Sequence, residues 1–238
     1  MKKIAIKLFA AAAILSAITV VLLVCPLFDI KTVNISNNNY VTKQFILETL
    51  NLDKNLKNLF AFNTIEGKKK LLENSYIKNV SFQRKLPNIL NIIITERKIR
   101  GYVPYMNSYL FIDDEGRIID VKSSIEEKLP IVVGLSFKSF EVGKILQADN
   151  SDAFNVVVEF TKLMAKYEII DDVVRIDVSN TDSIHLYIND IDVIFGNFDD
   201  YNWKISALNE ILKKLPENSK GFLDISSSDK TPIFTLIT

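Results

Sequence analysis

The sequence predicts an α+β protein carried on a single N-terminal transmembrane helix, with a small β-α-α-β-β segment followed by a larger mixed α+β segment. Three observations predict it. Residues 8–28 contain no charge. From there to Lys98 the apolar pattern switches between a period of two and a period near 3.6, in the order strand, helix, helix, strand, strand. Beyond Ile99, short alternating runs and two helical stripes are interspersed with polar turns, the pattern of hairpins packed with helices.

The N-terminal run reads LFAAAAILSAITVVLLVCPLF over residues 8–28. As a helix rising about 1.5 Å per residue it would cover about 31 Å, close to the hydrocarbon thickness of a bilayer. Lys2, Lys3 and Lys7 are the only charges ahead of it, and Asp29 follows directly. The excess of basic residues on cytoplasmic flanks therefore puts residues 1–7 in the cytoplasm and residues 29–238 outside, in a single-pass protein of the cell membrane. A cleaved signal peptide would need a shorter apolar core ending in small residues, whereas residues 20–24 are VVLLV. A lipoprotein would be modified at Cys25, but Val24 stands where a small side chain is needed. A buried soluble helix would show a polar face, and this run has none. Cys25 keeps a processed form open, and the orientation is the same in each case.

The 29 basic and 29 acidic residues balance but are unevenly placed. Residues 29–98 carry 12 Lys or Arg against 6 Asp or Glu, and residues 99–238 carry 14 against 23. A basic segment beside a membrane suits anionic head groups; it equally suits a solvated face without a partner. Hydrophobic content of 48% and charged content of 24% are those of a folded protein. Cys25 is the one cysteine, so no disulfide can form within the chain and folding rests on burial.

Within residues 29–98, Phe28, Ile30, Val33 and Ile35 alternate with a slip at Lys31 and Thr32, predicting a strand over 28–36. Asn37, Asn38 and Asn39 mark a turn. Thr42 is placed to cap a short helix that buries Ile46, Leu47 and Leu50. Asn63 and Glu66 have the spacing of a capping box opening a second helix through Leu71 and Leu72, with Gly67 an unfavourable interior residue. Val80, Phe82, Arg84 and Leu86 alternate with polar residues as a half-buried strand, Pro87 and Asn88 turn the chain, and ILNIIITERK returns as its partner.

In residues 99–238, YLFIDDEGRIIDVK predicts two strands around an acidic turn with Gly116 at the position wanting positive φ. The turn lacks the ligand spacing of a calcium loop and is expected to be a solvated hairpin tip. Ala153, Val156, Val157, Phe160, Leu163, Met164 and Tyr167 form one helical stripe; Tyr201, Ile205, Leu208, Leu212 and Leu215 form another, with Lys213 and Lys214 at its C-terminus and Pro216 beyond. VVRIDVS, SIHLYIN, DVIFG, GFLDIS and PIFTLIT predict short strands.

A strand-helix-helix-strand-strand order directly after a membrane anchor is the layout of a POTRA module. The runs FDIKTVNISNNNYVT, YIKNVSFQRKLPNILNIIITERK, YLFIDDEGRII and LPIVVG closely resemble the bacterial FtsQ/DivIB cell-division proteins. The resemblance extends from the anchor to the last strand, and its most specific part is the RKLPN…ITERK hairpin together with IDDEG…LP…G. It implies a POTRA domain over 29–98, the family's β domain over 99–238, and a non-enzymatic scaffold at the division septum.

Catalytic constellations are missing from the sequence. His185, the one histidine, alternates with Ile184 and Leu186 and is expected to be half-exposed on a sheet. Cys25 is beside the bilayer. Asp171 and Asp172, Asp190 and Asp192, and Asp199 and Asp200 are carboxylate pairs expected at turns, where Asp bonds its own backbone. No phosphate loop, zinc spacing or nucleophile elbow occurs, so no cofactor, metal or small-molecule substrate is expected. A chain that is not basic overall and lies outside the cytoplasm is not expected to bind nucleic acid.

Binding remains. The terminal strand PIFTLIT has nothing after it, so it could accept a partner's strand along its edge; it could equally be a core strand between paired neighbours. The resemblance implies binding of the small bitopic FtsB/DivIC-like and FtsL-like proteins through residues 221–238, and through them a hand in septal peptidoglycan synthesis. The candidate partner-binding residues are Phe222, Pro232, Ile233, Phe234, Thr235, Leu236 and Ile237. Two other classes compete. A chaperone-like extracytoplasmic POTRA protein handling extended polypeptides would need a downstream barrel or a translocation partner, and no barrel-like strand array follows. A cell-wall enzyme would need a nucleophile or metal site.

Overall fold

The computed structural model describes residues 2–53, 57–125, 127–216 and 218–237, so the expected limits at Met1 and Thr238 lie outside it. The chain forms two compact units, Met1–Glu96 and Arg97–Thr238, each with its own core.

The first unit opens with α1 (Lys2–Val24). Its stretch Ile6–Val24 is long and apolar enough to cross a membrane, and none of it is buried by other residues. The helix ends before the uncharged run does. Pro26 has no N–H to donate and disfavours helical geometry at Cys25, so Pro26–Phe28 form a single 3-10 turn instead of continuing the helix to 28.

The first strand is shorter than the alternation predicts. Residues 28–30 pair with the chain at 57–59: Leu59 N–H donates to Phe28 O (2.7 Å) and Ile30 N–H to Lys57 O (3.0 Å). β1 (Thr32–Ser36) therefore begins only at the slip. Thr42 caps α2 (Lys43–Thr49), its hydroxyl accepting from Phe45 N–H at 3.2 Å. Asn63 caps α3 (Thr64–Leu71), accepting from the N–H groups of Ile65 and Glu66 at 3.1 Å each. The Glu66 carboxylate pairs with Lys70 (2.8 Å). Gly67 is there for packing, since a Cβ would stand 3.0 Å from Leu50 Cδ2 and 3.3 Å from the Phe62 and Phe82 rings.

β2 (Ile77–Lys85) and β3 (Ile89–Glu96) form the antiparallel hairpin, and the sheet order is β1-β3-β2 with β1 parallel to β3. Leu90, Ile92 and Ile94 are fully buried with Ile46 and Leu71. Leu86 departs from the expected pattern. β2 ends at Lys85, and Leu86, in the turn, is 59% exposed.

The second unit is a nine-stranded mixed sheet in the order β12-β11-β10-β9-β8-β7-β4-β5-β6. The strands are β4 (Ile99–Tyr105), β5 (Ser108–Asp113), β6 (Ile118–Lys122), β7 (Ile131–Val133), β8 (Val173–Asp177), β9 (Ile184–Ile188), β10 (Ile191–Gly196), β11 (Gly221–Asp224) and β12 (Ile233–Leu236). Two helices, α4 (Ser151–Lys166) and α5 (Tyr201–Leu212), share one core with the inward residues of the strands. Phe160 of α4 meets Phe195 of β10 edge-on at 4.7 Å, and Ile205 and Leu208 of α5 are fully buried nearby in the same cluster.

The acidic turn after β5 is not a solvated tip. Asp113 is fully buried, and its Oδ1 accepts from the N–H groups of Glu115 (2.9 Å) and Arg117 (2.8 Å).

Candidate functional site

The candidate residues lie at one end of the nine-stranded sheet. β11 bonds β10 in parallel on one side and β12 antiparallel on the other, with Phe222 opposite Thr235 and Leu223 opposite Phe234. Among the described residues no strand pairs with the far side of β12. The opposite sheet edge is partly covered, because Ile118 of β6 exchanges bonds with Gly143 and Lys144.

The ladder fixes which main-chain groups of β12 face outward. Ile237 N–H donates to Lys220 O at 3.0 Å. In an antiparallel pair the bonded positions alternate, so residues 233, 235 and 237 point their backbone groups at β11. The N–H and C=O groups of Phe234 and Leu236 therefore point away from the sheet. β12 lies close to β11 because residue 221 is glycine: a Cβ there would come within 2.1 Å of Thr235 O.

The side chains divide between the two faces. Phe234 is partly buried and packs against the core, opposite the buried Leu223. Leu236, on the same side but opposite Gly221, is 60% exposed. Phe222, Ile233 and Ile237 are on the other face with Thr235, and all three are exposed at 45%, 63% and 52%. The seven residues are thus brought together as an open strand edge flanked by an apolar stripe.

That outer face continues across the sheet. Asp192 stands opposite both Phe222 and Tyr187. The Arg175 guanidinium stacks over the Tyr187 ring at 3.8 Å, and His185 Nδ1 is 2.8 Å from Asp192 Oδ1. His185 is half-buried on the sheet, as expected, but Asp192 lies inside β10 rather than at a turn. Asp190 at the β9–β10 turn pairs with Lys220 at 2.8 Å.

Lys204 is a charged residue that the apolar stripe of α5 did not reveal. It is 1% exposed, its Nζ donates to Asn197 O (2.9 Å) and Oδ1 (3.2 Å), and it lies over the Phe195 ring. Burial pulls its ammonium below the usual lysine range, against the pull of Asp199 and Asp200. It sits one residue before the core residue Ile205, and only its spacing from Asn197 could have hinted at a cap on that loop. Among the described residues no group of three or more His, Cys, Asp or Glu side chains converges as a metal site.

The family description "POTRA domain, FtsQ-type" matches residues 28–97, and "Cell division protein FtsQ/DivIB, C-terminal" matches residues 101–229, ending short of β12. The cell division protein DivIB of Clostridium acetobutylicum is 29% identical over 213 residues, covering 89% of this chain and 84% of that protein. DivIB of Bacillus subtilis is 21% identical over 208 residues, covering 87% and 74%. The solved major extracytoplasmic domain of the trans isomer of DivIB from Geobacillus stearothermophilus matches at 18% identity with a TM-score of 0.34, covering 53% of this chain and 99% of its own.

Proposed function

The chain belongs to the FtsQ/DivIB family of cell-division proteins, and we propose that it is a membrane-anchored, non-catalytic scaffold whose β12 edge takes up a strand from small bitopic partners of the FtsB/DivIC and FtsL kinds. Residues 8–28, mostly as α1, cross the cell membrane once, with residues 1–7 in the cytoplasm. Residues 29–98 are the POTRA domain and residues 99–238 the β domain. The protein gathers at the septum, and by holding its partners it helps control septal peptidoglycan synthesis.

The observation that carries this reading is the open edge of β12. An added strand would bond the outward groups of Phe234 and Leu236, which supplies affinity without demanding particular side chains. The exposed stripe of Phe222, Ile233 and Ile237 would supply the selectivity. Pro232 has no N–H, so it limits pairing with unrelated strands at that end.

Leu236→Pro tests it. The substitution removes one outward N–H and leaves the bonds of Thr235 and Ile237 to β11. Capture of the partner pair by the full chain in nanodiscs should weaken about tenfold or more, the loss of about one net hydrogen bond plus the ring's obstruction of the edge. Unchanged capture would refute strand addition.

A further inference from the structure

We propose that the tip of the β2–β3 hairpin and the segment at 57–62 form a foot that seats the first unit in the anionic head-group layer of the membrane; this rests on α1 spanning the bilayer. The topology brings both to the end of the unit where α1 stops. β1 runs parallel to β3 in the register Thr32 to Ile89, so the start of β3, and with it the hairpin turn, lies beside the chain leaving the anchor. Asn88 O accepts from the N–H groups of Lys31 (2.9 Å) and Thr32 (3.4 Å).

The segment at 57–62 is held to the same exit. Asn58 Nδ2 donates to Cys25 O at 3.5 Å, Leu59 N–H donates to Phe28 O, and the Phe28 and Phe60 rings meet edge-on at 5.1 Å. Arg84 locks the hairpin to that segment, donating from Nε to Leu59 O (2.8 Å) and from its other arm to Phe62 O (3.0 Å). The foot is therefore braced by main-chain bonds within a few residues of the last helical turn of α1.

Its chemistry suits an interface. Leu27 and Leu86 are 56% and 59% exposed, apolar groups able to enter the head-group boundary. Residues 28–31, 57–62 and 84–88 contain Lys31, Lys57, Arg84 and Lys85 against one acid, Asp29. Lys31 and Lys85 are exposed, and long basic side chains reach phosphate while their stems lie along apolar surface. The exposed Leu86, unexplained by the fold, acquires a role.

The test uses the full chain carrying Cys25→Ser in nanodiscs of phosphatidylcholine with and without phosphatidylglycerol, each containing lipid with a spin label near the head group or, for reading the label at 16 near the bilayer centre, deep in the acyl chain. A fluorophore is attached at Leu86→Cys in the turn, at Asn79→Cys about 20 Å back along β2, or at Ser16→Cys within α1. The label at 86 should be quenched severalfold more than that at 79, and more with phosphatidylglycerol present. Lys85→Ser should reduce that lipid dependence about fivefold, one lysine's share near an anionic surface. Equal quenching at 86 and 79 with a strongly quenched label at 16 would overturn the foot while leaving the anchor intact. Quenching at 86 indifferent to phosphatidylglycerol would overturn its charge recognition. An unquenched label at 16 would overturn the spanning helix, and the foot with it.

Discussion

Arg97 Nη1 lies 2.7 Å from Oδ2 of Asp113, a carboxylate with no solvent exposure. The pair joins the first residue of the second unit to the end of β5, and Glu115 adds a second contact to Arg97 at 3.2 Å. With its other oxygen Asp113 holds the N–H groups of the turn, so one buried charge organises the whole β5–β6 connection. Arg97→Met would leave that charge uncompensated and should cost about 3–5 kcal/mol in urea unfolding of the second unit. A loss below about 1 kcal/mol, the value of a surface pair, would show that water shields the carboxylate.

Glu96, at the end of β3, receives the N–H groups of Asn39 (2.9 Å), Tyr40 (3.0 Å) and Val41 (2.8 Å). The carboxylate fixes the loop that leads into α2. Glu96→Ala should cost about 3 kcal/mol, as bonds to a charged acceptor are stronger than neutral ones. Hydrogen exchange locates the effect: the amides of residues 39–41 should exchange far faster, while those of α3 stay protected.

Gly221→Val should detach β12. Any Cβ at this position meets Thr235 O at 2.1 Å, too close for backbone to tolerate. The amides of Ile233, Thr235 and Ile237 should exchange as in unfolded chain while β8, β9 and β10 remain protected, and capture of partners should fall with them.

Asp224 gives a pH signature next to the same edge. Its carboxylate accepts from Ser226 N–H at 2.9 Å, and the backbone and hydroxyl bonds to Ser226 hold its pKa below the ordinary value against the opposing effect of burial, with Lys230 adding to the lowering. The charged form is thus favoured in the folded state. Its stabilisation is complete above the unfolded pKa of about 3.9 and is lost as pH falls through the lower folded value. The native chain should exceed Asp224→Asn by about 0.5–1 kcal/mol at neutral pH, and the gap should close on acidification through that window. A gap that persists at lower pH would mean that the charge is not its source.

What the sequence made legible was local. Thr42 and Asn63 announce their helices because a cap needs one side chain and one turn, and both caps form. The alternations of β9 and β10 are equally plain. β4 was not, because Gly101 and Pro104 break its pattern: Gly101 is needed where Pro130 O would stand 3.0 Å from a Cβ, a contact set by the distant β7. The burial of Asp113 and Lys204 was also hidden, since it depends on partners brought in by tertiary folding. At the candidate edge, composition pointed to the strand, but the division of Phe234 toward the core and Ile233 away from it follows only from the register with β11.

Amide exchange at Phe234 and Leu236 reports directly on strand addition by partners at β12. Both N–H groups point away from β11, so in the free protein they should exchange fast, while those of Thr235 and Ile237 are slowed by the ladder. On addition of the FtsB/DivIC-like and FtsL-like partners, the amides of Phe234 and Leu236 should slow at least about tenfold, as expected for newly bonded edge groups. A complex that forms and leaves both exchanging as fast as before would contradict it.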